Sequence, residues 1–241
     1  MHGEAMLDVR LQIKAFASLD NGPGAPVLRN IEFCALPGEV VAILGHSGIG
    51  KSTLLRICIG LDRDFVGSVR MPPGKLGVMF QEPRLLPWLT VEENLRLVQP
   101  ALDVSAVLEE VLLPGVEKVL PSALSLGMAR RVALARALAV YPNTLVLDEP
   151  LASLDRSIAA ALGARIAERA TRHGVLVILS THDLDQALAM ASRIIVLADN
   201  PATLSADIVV PAGDAAGETS RLREHLLTKF TFLGSQEMAK P

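Results

Sequence analysis

Gly45-His46-Ser47-Gly48-Ile49-Gly50-Lys51-Ser52 is the stretch from which the fold is read. It fits the pattern G-x-x-x-x-G-K-[ST]. Three residues without a Cβ let the backbone wrap so that consecutive N–H groups point inward at phosphate oxygens. A helix beginning at Lys51 adds the positive end of its dipole. In this pattern Lys51 reaches the β- and γ-phosphates and the Ser52 hydroxyl ligates Mg²⁺, with Thr53 next in line on the helix. Composition alone produces such a match in on the order of one chain in a hundred. The flanks remove that reading: an apolar strand, Val40 to Leu44, enters the turn, and a helical pattern from Lys51 to about Ile59 leaves it.

Outward from this unit, Leu7–Ile13 and Ile31–Phe33 read as strands around a turn at Asn21-Gly22-Pro23-Gly24, and Leu76–Phe80 as another strand. From Thr90 to about Leu113 the pattern is helical, with Glu93 three residues after the Thr90 cap. A helix over Leu126–Val140 stops before Pro142. Leu145–Leu147, Val175–Leu179 and Arg193–Leu197 are short apolar strands separated by helices at Ser157–His173 and Asp183–Ser192. Strand–helix alternation implies an α/β fold with a mostly parallel sheet and ligands at the carboxyl ends of the strands. The stretch 82–140 is helical without strands and reads as an inserted subdomain of a domain spanning 1–210. After Pro201 the pattern weakens, and 211–241 reads as a flexible loop followed by a short amphipathic tail.

The 241 residues are 50% hydrophobic and 3% aromatic, with a net charge of -3. That mass of Ala, Val, Leu and Ile suits buried parallel strands, and the charge leaves no electrostatic footprint for nucleic acid. Mean hydropathy is high, yet the longest apolar runs fall far short of the ~20 residues of a membrane span. The first ten residues carry acids and no apolar segment, so no secretory signal is expected there. Cys34 and Cys58 lie in apolar contexts without metal-ligand spacing and read as reduced core thiols.

The second chemical motif is Leu145-Val146-Leu147-Asp148-Glu149-Pro150, an apolar strand ending in two carboxylates. Behind a phosphate loop, the first acid sits in the Mg²⁺ shell and the second polarises the attacking water.

The order and content of these motifs resemble the ATP-binding cassette (ABC) ATPases over roughly residues 7–200. The resemblance implies a phosphate-loop ATPase core with an N-terminal antiparallel β portion and a helical insertion. It implies that Gln81 is the family's Q-loop glutamine, sensing Mg²⁺ and the membrane partner. Leu124-Ser125-Leu126-Gly127-Met128 stands where the family has its LSGGQ signature, so Ser125 and Gly127 would cap a γ-phosphate across a dimer. Ser153-Leu154-Asp155 matches the D-loop, His182 the switch histidine, and Phe16 the aromatic that stacks on adenine. For Phe16 a second reading stands, a strand-end core residue.

The signature departs from the family at Leu126, where the first of two adjacent glycines is usual, and the segment between Gln81 and Ser125 is shorter than in most relatives. Both put hydrolysis rate or coupling in question. The run Phe80-Gln-Glu-Pro-Arg-Leu-Leu-Pro-Trp88-Leu-Thr-Val-Glu-Glu-Asn-Leu95 looks like importers of nitrate, taurine and aliphatic sulfonates. Trp88 has two readings, a buried anchor of the subdomain or part of a surface that receives a membrane subunit.

The resemblance thus implies an ATPase of two identical or related subunits sandwiching two ATP, with Glu149 as general base. It also implies Mg²⁺, integral permease subunits, indirect service to a periplasmic solute-binding protein, and a place at the cytoplasmic face of the inner membrane. A soluble ABC ATPase acting on DNA or ribosomes, and a regulatory cassette that barely hydrolyses, are the alternatives.

Overall fold

The computed structural model describes residues 6–16, 24–211 and 217–234. A three-stranded antiparallel sheet has the order β2 (Pro26–Ala35), β1 (Leu7–Ala15), β4 (Val66–Arg70). A six-stranded sheet runs β5 (Leu76–Met79), β6 (Thr144–Asp148), β7 (Leu176–Thr181), β3 (Val40–Leu44), β8 (Arg193–Ala198), β9 (Thr203–Val209). All neighbours in it pair in parallel except the edge pair β8–β9.

The central strands are apolar throughout because both faces are covered. Their residues divide with period 2: Val40, Ala42 and Leu44 of β3 face one core, Val41 and Ile43 the other. Leu145 and Leu147 of β6, Val177 and Leu179 of β7, and Ile194 and Val196 of β8 join the first core, which also holds α4 (Leu126–Ala139), α5 (Arg156–His173) and α6 (Leu184–Met190). The second core lies between this sheet, the antiparallel sheet and α1 (Lys51–Cys58).

The helical pattern at 90–113 resolves into two short helices, α2 (Val91–Arg96) and α3 (Val104–Glu110). Pro100 lies between them, where it lacks an N–H and constrains Gln99, and Asp103 starts α3 anew by accepting from the Ala106 N–H at 3.1 Å. The Thr90–Glu93 capping box at the head of α2 is formed. Two strands carry no apolar signal. β4 is mostly exposed, and β9 is an edge strand with little full burial, so packing asks less of either than of the central strands.

Cys34 is exposed, against the expectation of a core thiol, because β2 alternates and Phe33 and Ala35 take the inward positions. Cys58 is buried, and burial pushes its thiol up to about 12. The turn at Asn21–Gly24 lies outside the described residues except for Gly24. No helix among the described residues is long and apolar enough to cross a membrane.

Beyond β9 the chain forms α7 (Glu218–Lys229) and the single turn α8 (Thr231–Gly234). Leu226, Phe230 and Leu233 are buried in the first core.

Candidate nucleotide site

The phosphate loop is the turn from β3 to α1, with Gly48 at φ +82° and Gly50 at φ +109°. Gly50 must be glycine twice over: its φ is left-handed, and a Cβ there would stand 2.7 Å from the Leu28 side chain. That close approach seats β2 on the loop. β1 ends against the start of β2, with Ala15 opposite Pro26, so Phe16 emerges at this edge of the loop. Phe16 is 50% exposed, which removes the reading of a core residue. The buried Lys14 amine lies 4.9 Å from its ring centroid while donating to Asp62 and to the Asp64 carbonyl.

Lys51 is buried at the head of α1. Its Nζ donates to the carbonyls of Gly45 (2.8 Å) and His46 (3.1 Å) and lies 3.4 Å from Glu149 Oε1. Burial pushes the Lys51 amine below its ordinary range, partly opposed by Glu149 and Asp148. His46, Ser47 and Gly48 are exposed, Ile49 is buried, and Ser52 and Thr53 are half-buried on α1.

Glu149 and Asp148 are both buried at the carboxyl end of β6. Glu149 has φ +52°, the left-handed region that costs a residue with a Cβ on the order of 1–2 kcal/mol. The turn is held by β7: the Ser180 hydroxyl donates to Asp148 Oδ1 at 2.6 Å and accepts from the Glu149 N–H at 3.0 Å. His182 directly follows β7, and its Nδ1 lies 2.8 Å from Glu149 Oε2. That hydrogen bond raises the imidazole pKa above its ordinary value, with burial opposing it. One carboxylate therefore bridges the lysine of the phosphate loop after β3 and the histidine after β7.

Gln81 follows β5, exposed, two residues beyond Met79, which pairs with Leu147. It is thus at the same sheet end as Asp148 and Glu149. Arg136 of α4 fixes the segment after it by donating to the carbonyls of Pro83 and Arg84 at 2.8 Å. With Ser52 and Asp148, Gln81 makes an all-oxygen set, the donor chemistry Mg²⁺ takes alongside phosphate oxygens.

Ser125 and Gly127 open α4, which packs on α2, α3, β5 and β6, whereas α1 packs on β4, β6 and β7. Ser125 caps α4 by accepting from the Met128 N–H at 3.2 Å. Gly127 lies against the D-loop: a Cβ would meet the Leu154 side chain at 3.2 Å and the Ser153 carbonyl at 3.4 Å. Arg130, one turn on, donates to the Ala152 carbonyl of the same loop. Asp155 is exposed at the head of α5.

Leu126 is 56% exposed, so its side chain does not pack into the helical subdomain. Trp88 is 71% exposed, which rules out the buried-anchor reading. It sits in a turn held by the buried Asn94, whose side chain bonds both polar groups of Leu86 and the carbonyls of Leu89 and Thr90.

Residues that sequence reasoning missed are Ser180, Arg130 and Arg136. Ser180 had one signal, a polar residue ending an apolar strand beside the acidic one; the arginines had none, since their partners are backbone carbonyls distant in sequence.

A family model described as ABC transporter matches residues 28–152. The chain is 43% identical over 211 residues, 86% of each protein, to an aliphatic sulfonates import ATP-binding protein of Pseudomonas savastanoi pv. phaseolicola. It is 42% identical to one of Nocardia farcinica, over 92% of this chain and 90% of that one. Among solved structures it resembles a dimeric bacterial ABC transporter cassette (TM-score 0.78, 25% identity, 86% of this chain and 100% of that one). A dimeric post-hydrolysis cassette holding ADP and Pi is similar too (TM-score 0.77, 26% identity, the same coverage).

Proposed function

This chain belongs to the ABC transporter ATP-binding family, and from that premise we propose that it powers import of a small organic sulfonate through separate membrane subunits. The observation that carries the catalytic part is Glu149, placed between Lys51 Nζ at 3.4 Å and His182 Nδ1 at 2.8 Å. The solute class rests on the relatives, four-tenths identical over most of both chains, that are sulfonate import subunits by name.

In this reading the N–H groups of residues 45–53 and Lys51 hold the β- and γ-phosphates, and Phe16 stacks on the adenine. Glu149 accepts a proton from the water that attacks the γ-phosphorus, and His182 holds that carboxylate and the γ-phosphate in line. Ser52, Asp148 and Gln81 would hold Mg²⁺, which would supply charge neutralisation for the phosphoryl group being transferred. Ser125 and Gly127 present a helix N-terminus to the nucleotide on a second copy, and Asp155 extends the D-loop towards it. Closure of the two copies on ATP, and opening after hydrolysis, moves permease subunits docked on the helical subdomain (82–140). The chain then lies at the cytoplasmic face of the membrane, serving a periplasmic solute-binding protein indirectly.

The test is reconstitution of the chain in vesicles with a candidate permease and solute-binding protein from the same organism. ATP hydrolysis by the vesicles should rise when an aliphatic sulfonate such as ethanesulfonate is added with the binding protein. Stimulation by nitrate but not by any sulfonate would overturn the solute class. Failure to associate with any permease would overturn the importer reading.

A further inference from the structure

Residues 218–234 reach two parts of the nucleotide site. The Phe232 ring stands edge-on to the His46 imidazole, with centroids 5.9 Å apart and planes at 82°. His46 follows the first glycine of the phosphate loop and is otherwise exposed. Phe232 is held in place by its neighbours: Phe230 and Leu233 are buried in the main core, and the Phe230 ring lies 5.9 Å from that of Phe232. α7 ends at its C-cap Phe230, whose backbone leaves the helical region, and the Leu233 N–H donates to the Phe230 carbonyl at 2.9 Å as α8 begins. The second contact is Arg223 of α7, whose Nε donates to Asp185 Oδ1 at 2.7 Å. Asp185 is in the first turn of α6, the helix that follows His182.

We propose, on the reading that residues 45–53 bind ATP, that the C-terminal segment braces this site. Phe232 is a positioning residue for the phosphate loop, and Arg223 one for the helix behind His182. The physical reason is the loop's composition. Gly45, Gly48 and Gly50 lose more backbone freedom on ordering than other residues do, so holding their N–H groups inward is costly. An edge-to-face contact on His46 restricts the loop before nucleotide arrives, which preorganises it. The Phe232 contact acts on the phosphate loop and so on binding, not on proton transfer at Glu149, and its removal should separate affinity from turnover.

The experiment uses the full chain, a fluorescent ATP analogue for affinity and steady-state ATPase for rates. Phe232→Ala should raise both the Kd and the KM for ATP by about two- to ten-fold, with kcat within about two-fold of wild type. In a His46→Ala background the same substitution should have little further effect, because the contact is already gone. If Phe232→Ala folds poorly, Phe232→Leu keeps apolar bulk while removing the ring edge and should show the same split. Unchanged affinity in a well-folded Phe232 variant overturns the proposal, as does a full additive effect in the His46→Ala background. Lys51→Ala is measured beside them. Lost binding there with normal binding in the Phe232 variants sinks the brace alone, whereas normal binding by Lys51→Ala sinks the phosphate-loop reading and the brace with it.

Discussion

Glu149 occupies a left-handed backbone position that the Ser180 hydroxyl and the β6–β7 pairing hold open. Strain of this kind persists only where surroundings over-determine it, and here it aims a buried carboxylate at Lys51 and His182. His182 yields a pH prediction. Its pKa is raised above 6.5 chiefly by the Glu149 hydrogen bond, so the folded chain binds that proton more tightly than the unfolded chain does. The stabilisation is therefore complete below about pH 6.5 and is lost as pH rises through the higher folded value. Melting temperatures of wild type and His182→Ala across this range should converge as pH climbs; a gap independent of pH would contradict the ion-paired geometry. Leu126 gives the second residue-scale prediction. It is exposed at the head of α4 between Ser125 and Gly127, so on the shared-site reading proposed above its side chain should crowd a closing partner. In a Glu149→Gln background, Leu126→Gly should raise the ATP-dependent dimer fraction on gel filtration. It should do so despite a helix cost of ~1 kcal/mol for glycine. A lower melting temperature with no gain in dimer would refute it.

At the scale of elements, α4 is the hub. It packs on β5 and β6, donates from Arg136 to the segment after Gln81, and donates from Arg130 to the D-loop. It approaches β5 closely at Gly77, where a Cβ would stand 2.3 Å from the Ala137 carbonyl. Gly77→Ala must push helix and strand apart, which typically costs ~1–3 kcal/mol. Thermal or urea unfolding should show that loss, and unchanged stability would mean that the helix–strand contact is looser than described. This junction also marks a limit of sequence reading. Gly77 carries no motif, whereas the phosphate-loop glycines do. The need for glycine arises from an approach between elements some sixty residues apart. For the same reason β4 and β9 escaped notice: being partly exposed, they need no apolar period.

Over the whole molecule, two cores share one sheet, and the nucleotide residues stand where β3, β6 and β7 end side by side. Among the described residues α4 and α1 pack mainly on different elements, with β6 in common, so their packing does not bring Ser125 to the phosphate loop. The Glu149→Gln chain should accordingly run as a monomer without nucleotide and as a dimer with ATP on gel filtration. A monomer under both conditions would contradict a shared site. The phosphate loop, the carboxylate pair and the strand–helix alternation were all determined by sequence alone. Each is a local device: backbone N–H groups, a helix dipole and a period of burial act within a few residues. Only the tertiary structure decided that Phe16, Leu126 and Trp88 face outward, that Ser180 holds both acids, and that Phe232 reaches His46. Those facts depend on which distant surfaces meet, and no spacing within a segment encodes them.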